Sequence, residues 1–158
     1  MTIVAFTSKA FCGNARAAIS TGGLKQVKYM PVNTPERQNG WYVCAFSLDI
    51  ENMTCTIREF VDAAAAEGAP CWKVFWPQCH TERAFREHQA FGQSGFPFKS
   101  KEYTNPASAD YANVDVPNAL WHETHTFTCF GYPTYTEEDM HQIANALVKV
   151  IQAYSKGK

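Results

Sequence analysis

The clearest hydrophobic pattern lies at the end of the chain. Between Thr136 and about Tyr154, apolar residues recur every three or four positions, as on a helix with one buried face: Met140, Ile143, Ala144, Leu147, Val150 and Ile151. Thr136 suits a helix N-cap, and the three acidic residues that follow it suit the positive end of the helix dipole. The pattern predicts an amphipathic helix over 136–154.

A second helix is predicted from residue 56. Thr56 and Glu59 have the spacing of a capping box, in which each side chain accepts a hydrogen bond from the other residue's backbone N–H. Gly68 is a suitable C-terminal stop. The expected buried face consists of Ile57, Phe60, Val61 and Ala64. A third, alanine-rich helix is predicted over 9–20.

Strand patterns fall between the helices. Residues 41–48 are rich in aromatic and β-branched side chains, 25–30 alternate before a proline, and 72–76 and 126–130 are shorter candidates. Uneven alternation of this kind favours an α/β (α+β) domain, with a small antiparallel or mixed sheet and helices mainly on one face. The connection from 41–48 through the helix to 70–76 also permits parallel pairing of those two strands.

The segment from 89 to 113 has no regular period. It contains two glycines and two prolines together with five aromatic residues: Phe91, Phe96, Phe98, Tyr103 and Tyr111. Long segments without periodicity are usually functional or disordered, and five rings favour packing over disorder. We therefore expect a long aromatic loop that packs against another surface.

Composition limits the classes of partner. The 158 residues suit a single domain, and a net charge of −1 with a pI near 6.5 gives no long-range attraction to nucleic acid or anionic membranes. The first residues are too short an apolar run for a signal peptide, which predicts a cytoplasmic protein. The six cysteines are scattered and are expected to be thiols in that compartment, most of them in the core.

Few residues form a motif that carries chemistry. His122 and His125 lack the spacing of a zinc-protease helix, and no third metal ligand is indicated beside them. His80 follows a predicted strand, where functional loops are common, although a solvent-facing histidine is the commoner case. The sequence contains no nucleophile elbow, dinucleotide-binding fingerprint or phosphate-binding loop. From the residues alone, the prediction stops at an α/β domain.

Two longer stretches resemble a known family. Residues 57–70, Ile-Arg-Glu-Phe-Val-Asp-Ala-Ala-Ala-Ala-Glu-Gly-Ala-Pro, resemble a helix and turn in the C-terminal small domain of the DegT/DnrJ/StrS aminotransferases, where they follow a strand like 41–48. Residues 130–150, with Thr-Glu-Glu-Asp at 136–139, are similar to the closing helix of that domain. Residues 103–106, 110–111 and 117–119 resemble the connecting loop of members that act on amino sugars or cyclitols, and 14–15 resemble the helix that joins the two domains.

The resemblance implies a chemistry and also a missing part. Members of this family are fold-type I pyridoxal-phosphate enzymes, homodimers whose large domain holds the cofactor and the Schiff-base lysine. No lysine of this chain lies in that motif, so no cofactor, metal or catalytic residue is expected here. Residues 1–22 would correspond to the linker-helix region between the two domains. The candidates to lie near a substrate are His80, Trp76 and His125. In the final strand, His125 and Phe130 occupy positions near those where the family has an arginine and a proline.

Three functions therefore remain open. The first is a truncated or stand-alone aminotransferase C-terminal domain without catalysis of its own. The second is a half-enzyme, meaning a small domain that docks onto a separate large-domain chain and restores transamination of an amino sugar or aminocyclitol. The third is a binding or dimerisation module that has reused the fold. Loss of a covering domain leaves apolar surface exposed, which favours a homodimer or the missing large-domain partner over a lone monomer.

Overall fold

A computed structural model describes residues 25–29, 34–37, 42–73, 78–89, 91–132 and 134–157. The helix predicted over 9–20, and Trp41 and Trp76, lie outside these residues. The described residues divide into two compact units. The first unit contains those up to Lys73 and from His122 onward, and the second contains those from Gln78 to Trp121.

A four-stranded antiparallel sheet forms the centre of the first unit. Its strands are β1 (Val27–Tyr29), β2 (Val43–Leu48), β3 (Cys71–Lys73) and β4 (Thr126–Phe130), in the order β1-β2-β4-β3. The prediction of a small α/β domain with an antiparallel sheet is confirmed. Since β2 and β3 each pair antiparallel with β4, they run parallel to each other, but β4 separates them and they do not pair as the connecting helix had permitted.

Two amphipathic helices cover the sheet of the first unit. They are α1 (Ile57–Ala66) and the C-terminal helix, numbered α4 below (Glu137–Tyr154), and both begin with a capping box. Their apolar stripes are buried as predicted and form one core with alternate residues of the strands: Cys44, Phe46 and Leu48 from β2, Cys71 from β3, and Phe127 and Cys129 from β4. Because successive residues of a strand point to opposite faces, this set marks the face of the sheet beneath the helices.

The second unit contains short helical segments. They are α2 (Arg83–Arg86) and three 3-10 turns, Cys79–Thr81, Pro106–Ala109 and Tyr111–Asn113. A further helix, α3 (Pro117–His125), begins in this unit, and its residues from His122 onward belong to the first unit, where it leads directly into β4. Helix α3 has only a weak apolar pattern, and the resemblance had placed its first residues in a connecting loop. None of the helices in the described ranges has the length and apolar character needed to cross a membrane.

The aromatic segment 89–113 packs partly on itself. Phe98, Tyr103 and Tyr111 form a ring cluster with Phe85 and His88, with Phe85 and Tyr111 5.1 Å apart between ring centroids. The Nε2 atom of His88 lies 2.7 Å from a backbone carbonyl oxygen within the unit, that of residue 109. These three rings of the loop are therefore contacted within their own unit.

The other two rings of this segment remain exposed. Phe91 and Phe96 form an isolated β-bridge and face each other at 6.2 Å, but are 69% and 47% exposed. Gly92 and Gly95, with φ of 63° and 77°, supply the left-handed backbone that this tight turn needs. The exposed apolar part of the segment is thus reduced to the tip formed by Phe91 and Phe96.

The cysteines differ from the expectation in one position. Cys55, Cys71, Cys79 and Cys129 are free thiols, and all but Cys79 are buried. Cys44 is disulfide-bonded. The expectation that every cysteine is a thiol is therefore wrong for Cys44.

Candidate functional site

The best-defined polar site in the first unit is built around His125. This residue ends α3 immediately before β4, and its side chain is 11% exposed. Its Nε2 atom lies 2.9 Å from Oε1 of Glu51, and its Nδ1 atom lies 2.8 Å from the Oγ1 atom of Thr124. Both ring nitrogens of a buried imidazole are therefore hydrogen-bonded, which fixes the orientation of the ring.

Glu51 supplies the charge of this site. It lies on the 3-10 turn Ile50–Asn52 that follows β2, and its carboxylate is exposed. The hydrogen bond from His125 is the main reason that the pKa of Glu51 falls from its ordinary value of 4.5 to about 2. An ionised carboxylate only accepts hydrogen bonds, so Nε2 of His125 donates to it. In a neutral ring, Nδ1 then accepts the hydroxyl proton of Thr124.

A cavity of about 340 Å³ opens beside this histidine. That volume is at the lower end of ligand pockets and suits a small ligand rather than a large one. The lining combines two isoleucines with hydroxyl and ionisable side chains: Ile50, Glu51, Thr56, Ile57, Lys73, Glu123, Thr124 and His125. The sheet edge contributes Lys73 from β3, and α3 contributes residues 123 to 125.

The electrostatics of the cavity favour a cationic group. His125 is the last residue of a nine-residue helix, where the backbone carbonyls give a negative partial charge. The carboxylates of Glu51 and Glu123 add two negative charges to the lining of the cavity, and the ammonium group of Lys73 adds one positive charge. An oxyanion formed in acyl transfer would be repelled here, so the chain of Thr124, His125 and Glu51 does not have the surroundings that a nucleophilic triad needs.

The predicted substrate-proximal residues fall in different parts of the chain. His125 lies in the first unit, His80 lies half-buried in the 3-10 turn Cys79–Thr81 of the second, and Trp76 is outside the described residues. His122 and His125 also have different partners, because Nδ1 of His122 lies 3.1 Å from Oγ1 of Thr126. Within the part of the chain that the structure describes, no group of three His, Cys, Asp or Glu side chains could hold a metal ion.

Glu51 is the site residue that sequence reasoning missed. It is 74 positions from His125 in the chain, and no periodic or motif signal connects them. The antiparallel pairing of β2 with β4 brings them together, since Ser47 near the end of β2 pairs with Thr126 at the start of β4. A carboxylate just after a buried strand was the only sequence signal, and it becomes informative once the strand pairing is known.

A row of aromatic rings forms a second feature of the first unit. Trp72 and Phe130 are 3.8 Å apart between ring centroids, and Phe130 also contacts Tyr42 at 5.5 Å and Tyr132 at 5.2 Å. Tyr42 is 77% exposed and Tyr132 46% exposed. This row, Tyr42, Trp72, Phe130 and Tyr132, presents apolar surface at the strand ends opposite to those that carry His125 and Glu51.

No family model matches this chain, and a search of curated proteins finds no match.

Proposed function

We propose that this chain is an aminotransferase small domain of the DegT/DnrJ/StrS kind, which does not catalyse transamination alone. The observation that supports it most is where the resembling residues lie in the fold. Residues 57–70 form α1 and the turn into β3, and 130–150 run from the end of β4 into α4. The motifs thus correspond to the elements that build one sheet-and-helix core.

A missing Schiff-base lysine is the chemical basis of this proposal. Transamination through pyridoxal phosphate needs an amine that holds the cofactor as an imine. Lys73 lines the His125 cavity, but it lies on a strand and outside any motif of the family's cofactor lysine. We therefore expect no dedicated cofactor lysine in this chain.

Mixing the chain with pyridoxal phosphate tests this expectation. The visible spectrum should show no stable imine band beyond that of free lysine, and borohydride reduction should label lysines weakly and at many positions. The Lys73→Ala variant should give the same spectrum. Stoichiometric labelling of one lysine, abolished by Lys73→Ala if that lysine is Lys73, would contradict the proposal.

A second candidate is the half-enzyme, and the charge of the His125 cavity favours it. Amino sugars and aminocyclitols carry an ammonium group, which suits the negative end of α3 and the carboxylates of Glu51 and Glu123. Tyr42 and Tyr132, both exposed, offer apolar surface of the kind that a covering domain would bury. On this proposal, the large domain is a separate chain that brings the cofactor.

Reconstitution with a large-domain chain of this family, carrying its own lysine, tests the half-enzyme. We expect transamination of an amino sugar or aminocyclitol only in the mixture, and at least tenfold less of it with His125→Gln. The matched control is His141→Gln, since His141 is an exposed histidine 3.9 Å from Glu137 on α4, outside the cavity. Absence of any complex by light scattering, or equal activity of the two variants, would reject the half-enzyme.

The third candidate is a stand-alone binding or dimerisation module, and its dimerisation form depends on the tip formed by Phe91 and Phe96. Burying one large aromatic side chain contributes roughly 1.5–3 kcal/mol, so two exposed rings favour association. Sedimentation at micromolar concentration should show a dimer that Phe91→Ser and Phe96→Ser weaken. Phe98→Ser is the control, because Phe98 packs inside its own unit and its loss should lower stability instead. A clean monomer would exclude the dimerisation form of this candidate.

The proposal includes a cytoplasmic location, without nucleic acid or membrane partners. The disulfide at Cys44 is the structural feature that speaks against this location, since disulfides are rare in reducing compartments. Trapping thiols with an alkylating reagent during lysis of the producing cells tests it. Alkylated Cys44 supports a cytoplasmic protein, and Cys44 protected until reduction supports an oxidising compartment.

A further inference from the structure

Three cysteines lie in one row across the sheet. In the strand register, Cys44 of β2 is opposite Cys129 of β4, and Cys129 is opposite Cys71 of β3. All three are buried in the core beneath the helices. Cys44 is already disulfide-bonded, which leaves Cys71 and Cys129 as free thiols side by side.

Cys71 and Cys129 form the kind of antiparallel residue pair in which the two Cα atoms lie closer together, the non-hydrogen-bonded pair. The N–H of Gly131 donates to the carbonyl of Tyr42 at 3.3 Å, which continues the ladder between β4 and β2. Alternate residues of a strand direct their backbone groups to the same neighbour, so those of Cys129 also point to β2. Toward β3, Cys129 therefore forms a non-hydrogen-bonded pair with Cys71.

Such a pair has the geometry that a disulfide requires. Non-hydrogen-bonded cross-strand pairs have Cα atoms about 4.5 Å apart with their side chains close together. Disulfides span Cα distances of about 4.4–6.8 Å, so the bond could form with little movement of the backbone. Since β3 is a three-residue strand at the edge of the sheet and pairs with β4 alone, it can take up the small adjustment that remains.

The two thiols are also chemically different. The interaction between the two sulfurs lowers the pKa of Cys71 and, together with burial, raises the pKa of Cys129 well above its ordinary value. Cys71 is thus the sulfur that ionises more readily. Cys71 is also the more accessible, at 8% exposed against 0%. Thiolates are the attacking species in disulfide exchange, so Cys71 is the sulfur suited to react first.

We propose that Cys71 and Cys129 form a redox-active dithiol, which a small-molecule disulfide converts into a disulfide between β3 and β4. The Cys71 thiolate attacks one sulfur of the reagent, forming a mixed disulfide and releasing one thiolate. Cys129 then loses its proton and attacks the Cys71 sulfur, releasing the second thiolate. The reagent accepts two electrons, the protein loses two hydrogen atoms, and both protons go to the released thiolates.

Cys55 and Cys79 provide internal comparisons. Cys55 is buried but lies outside the strands and so has no cysteine opposite it in the strand register, and burial raises its pKa to about 11, so it should stay a thiol. Cys79 is exposed in the second unit and should form only a mixed disulfide with the reagent. The proposed pair differs from both because each sulfur has a partner directly across the sheet.

Trypsin separates the relevant cysteines onto different peptides. Cys71 is alone on 59–73, Cys129 alone on 102–149 and Cys79 alone on 74–83, whereas Cys44 and Cys55 share 38–58. The native full chain would be treated with oxidised glutathione, alkylated, digested without reduction and examined by mass spectrometry. We expect the linked pair 59–73 with 102–149, restored to thiols by dithiothreitol, with unchanged far-ultraviolet circular dichroism.

The same reaction in urea shows whether the fold directs the pairing. In an unfolded chain, Cys71 should pair preferentially with Cys79, because the shorter loop costs less entropy to close. Native oxidation that links 59–73 to 74–83, or links 38–58 to 102–149, would overturn the proposal. So would recovery of both Cys71 and Cys129 as thiols while Cys79 is oxidised.

Two variants separate the order of the steps. In Cys129→Ala, Cys71 should accumulate as a stable mixed disulfide with glutathione, since the resolving sulfur is absent. In Cys71→Ala, Cys129 should remain an alkylatable thiol at least tenfold longer than Cys71 does in Cys129→Ala. The reverse order of reactivity would contradict the assignment of Cys71 as the attacking sulfur. The variants test only the order of the steps, because the unmutated chain already tests whether the disulfide forms.

Discussion

Replacing Phe127 by alanine should remove the central contact between the sheet and the helices of the first unit. Phe127 lies on β4, the strand that pairs with both β2 and β3, and is 1% exposed. Its ring stacks on Phe46 at 5.2 Å and contacts Phe60 of α1 at 5.0 Å. The substitution therefore opens a cavity where strand and helix side chains meet.

The expected loss can be built from these contacts. Burying a phenylalanine contributes about 1.5–3 kcal/mol, and each aromatic pair adds about 0.5–1.5 kcal/mol. A cavity that the surroundings fill incompletely places measured Phe→Ala losses at about 3–5 kcal/mol. For a chain of this length, each 1 kcal/mol lowers the midpoint of thermal unfolding by about 2–4 °C, so the decrease should be about 6–20 °C.

Urea and thermal unfolding followed by far-ultraviolet circular dichroism measure this loss. The control is Val114→Ala, which shortens an apolar side chain that is 40% exposed and should change the free energy of unfolding by less than about 0.5 kcal/mol. A loss below about 1 kcal/mol for Phe127→Ala, or equal losses for the two variants, would refute the packing of β4 against α1.

Two further predictions concern the helix start and the acid limb of stability. Thr136→Ala removes the hydrogen bond that Oγ1 accepts from the Asp139 N–H at 3.2 Å, and should cost about 1 kcal/mol in urea unfolding, whereas Thr134→Ala outside the helix should be neutral. The lowered pKa of Glu51 means that its contribution is present above about pH 4.5 and is lost as pH falls towards 2. Glu51→Gln should therefore make the urea midpoint fall less steeply over that range, and an unchanged profile would contradict the hydrogen bond to His125.

The helices of the first unit could be predicted because their signals are local. The spacing of apolar residues and the two capping boxes lie within single segments, and α1 and α4 begin at the residues after Thr56 and Thr136. Helix α3 was missed for the corresponding reason. Its first residue is Pro117 and few of its residues are buried, so it has no apolar stripe that a sequence could reveal.

Strand order could not be obtained from local signals. The connection from β2 through α1 to β3 is consistent with paired neighbours, and only the insertion of β4 between them gives the observed order. That insertion depends on residues more than 50 positions away from β3 in the chain. The position of β4 between β2 and β3 places Glu51 beside His125 and aligns the three cysteines in one row. Neither arrangement could be predicted before the strand pairing was known.

The cavity and the dithiol both lie at strands β3 and β4. Lys73, which lines the cavity, is two residues after Cys71 on β3, and His125 directly precedes β4, which carries Cys129. Lys73 and Cys71 are two apart on this strand and point to the same face of the sheet, and Lys73 pairs with Phe127 in the register that places Cys71 opposite Cys129. A bond between Cys71 and Cys129 would fix that register, and with it the position of Lys73 relative to His125. Oxidation of the dithiol is therefore expected to restrict the cavity that the half-enzyme proposal uses, although the two proposals rest on separate observations and each can fail without the other.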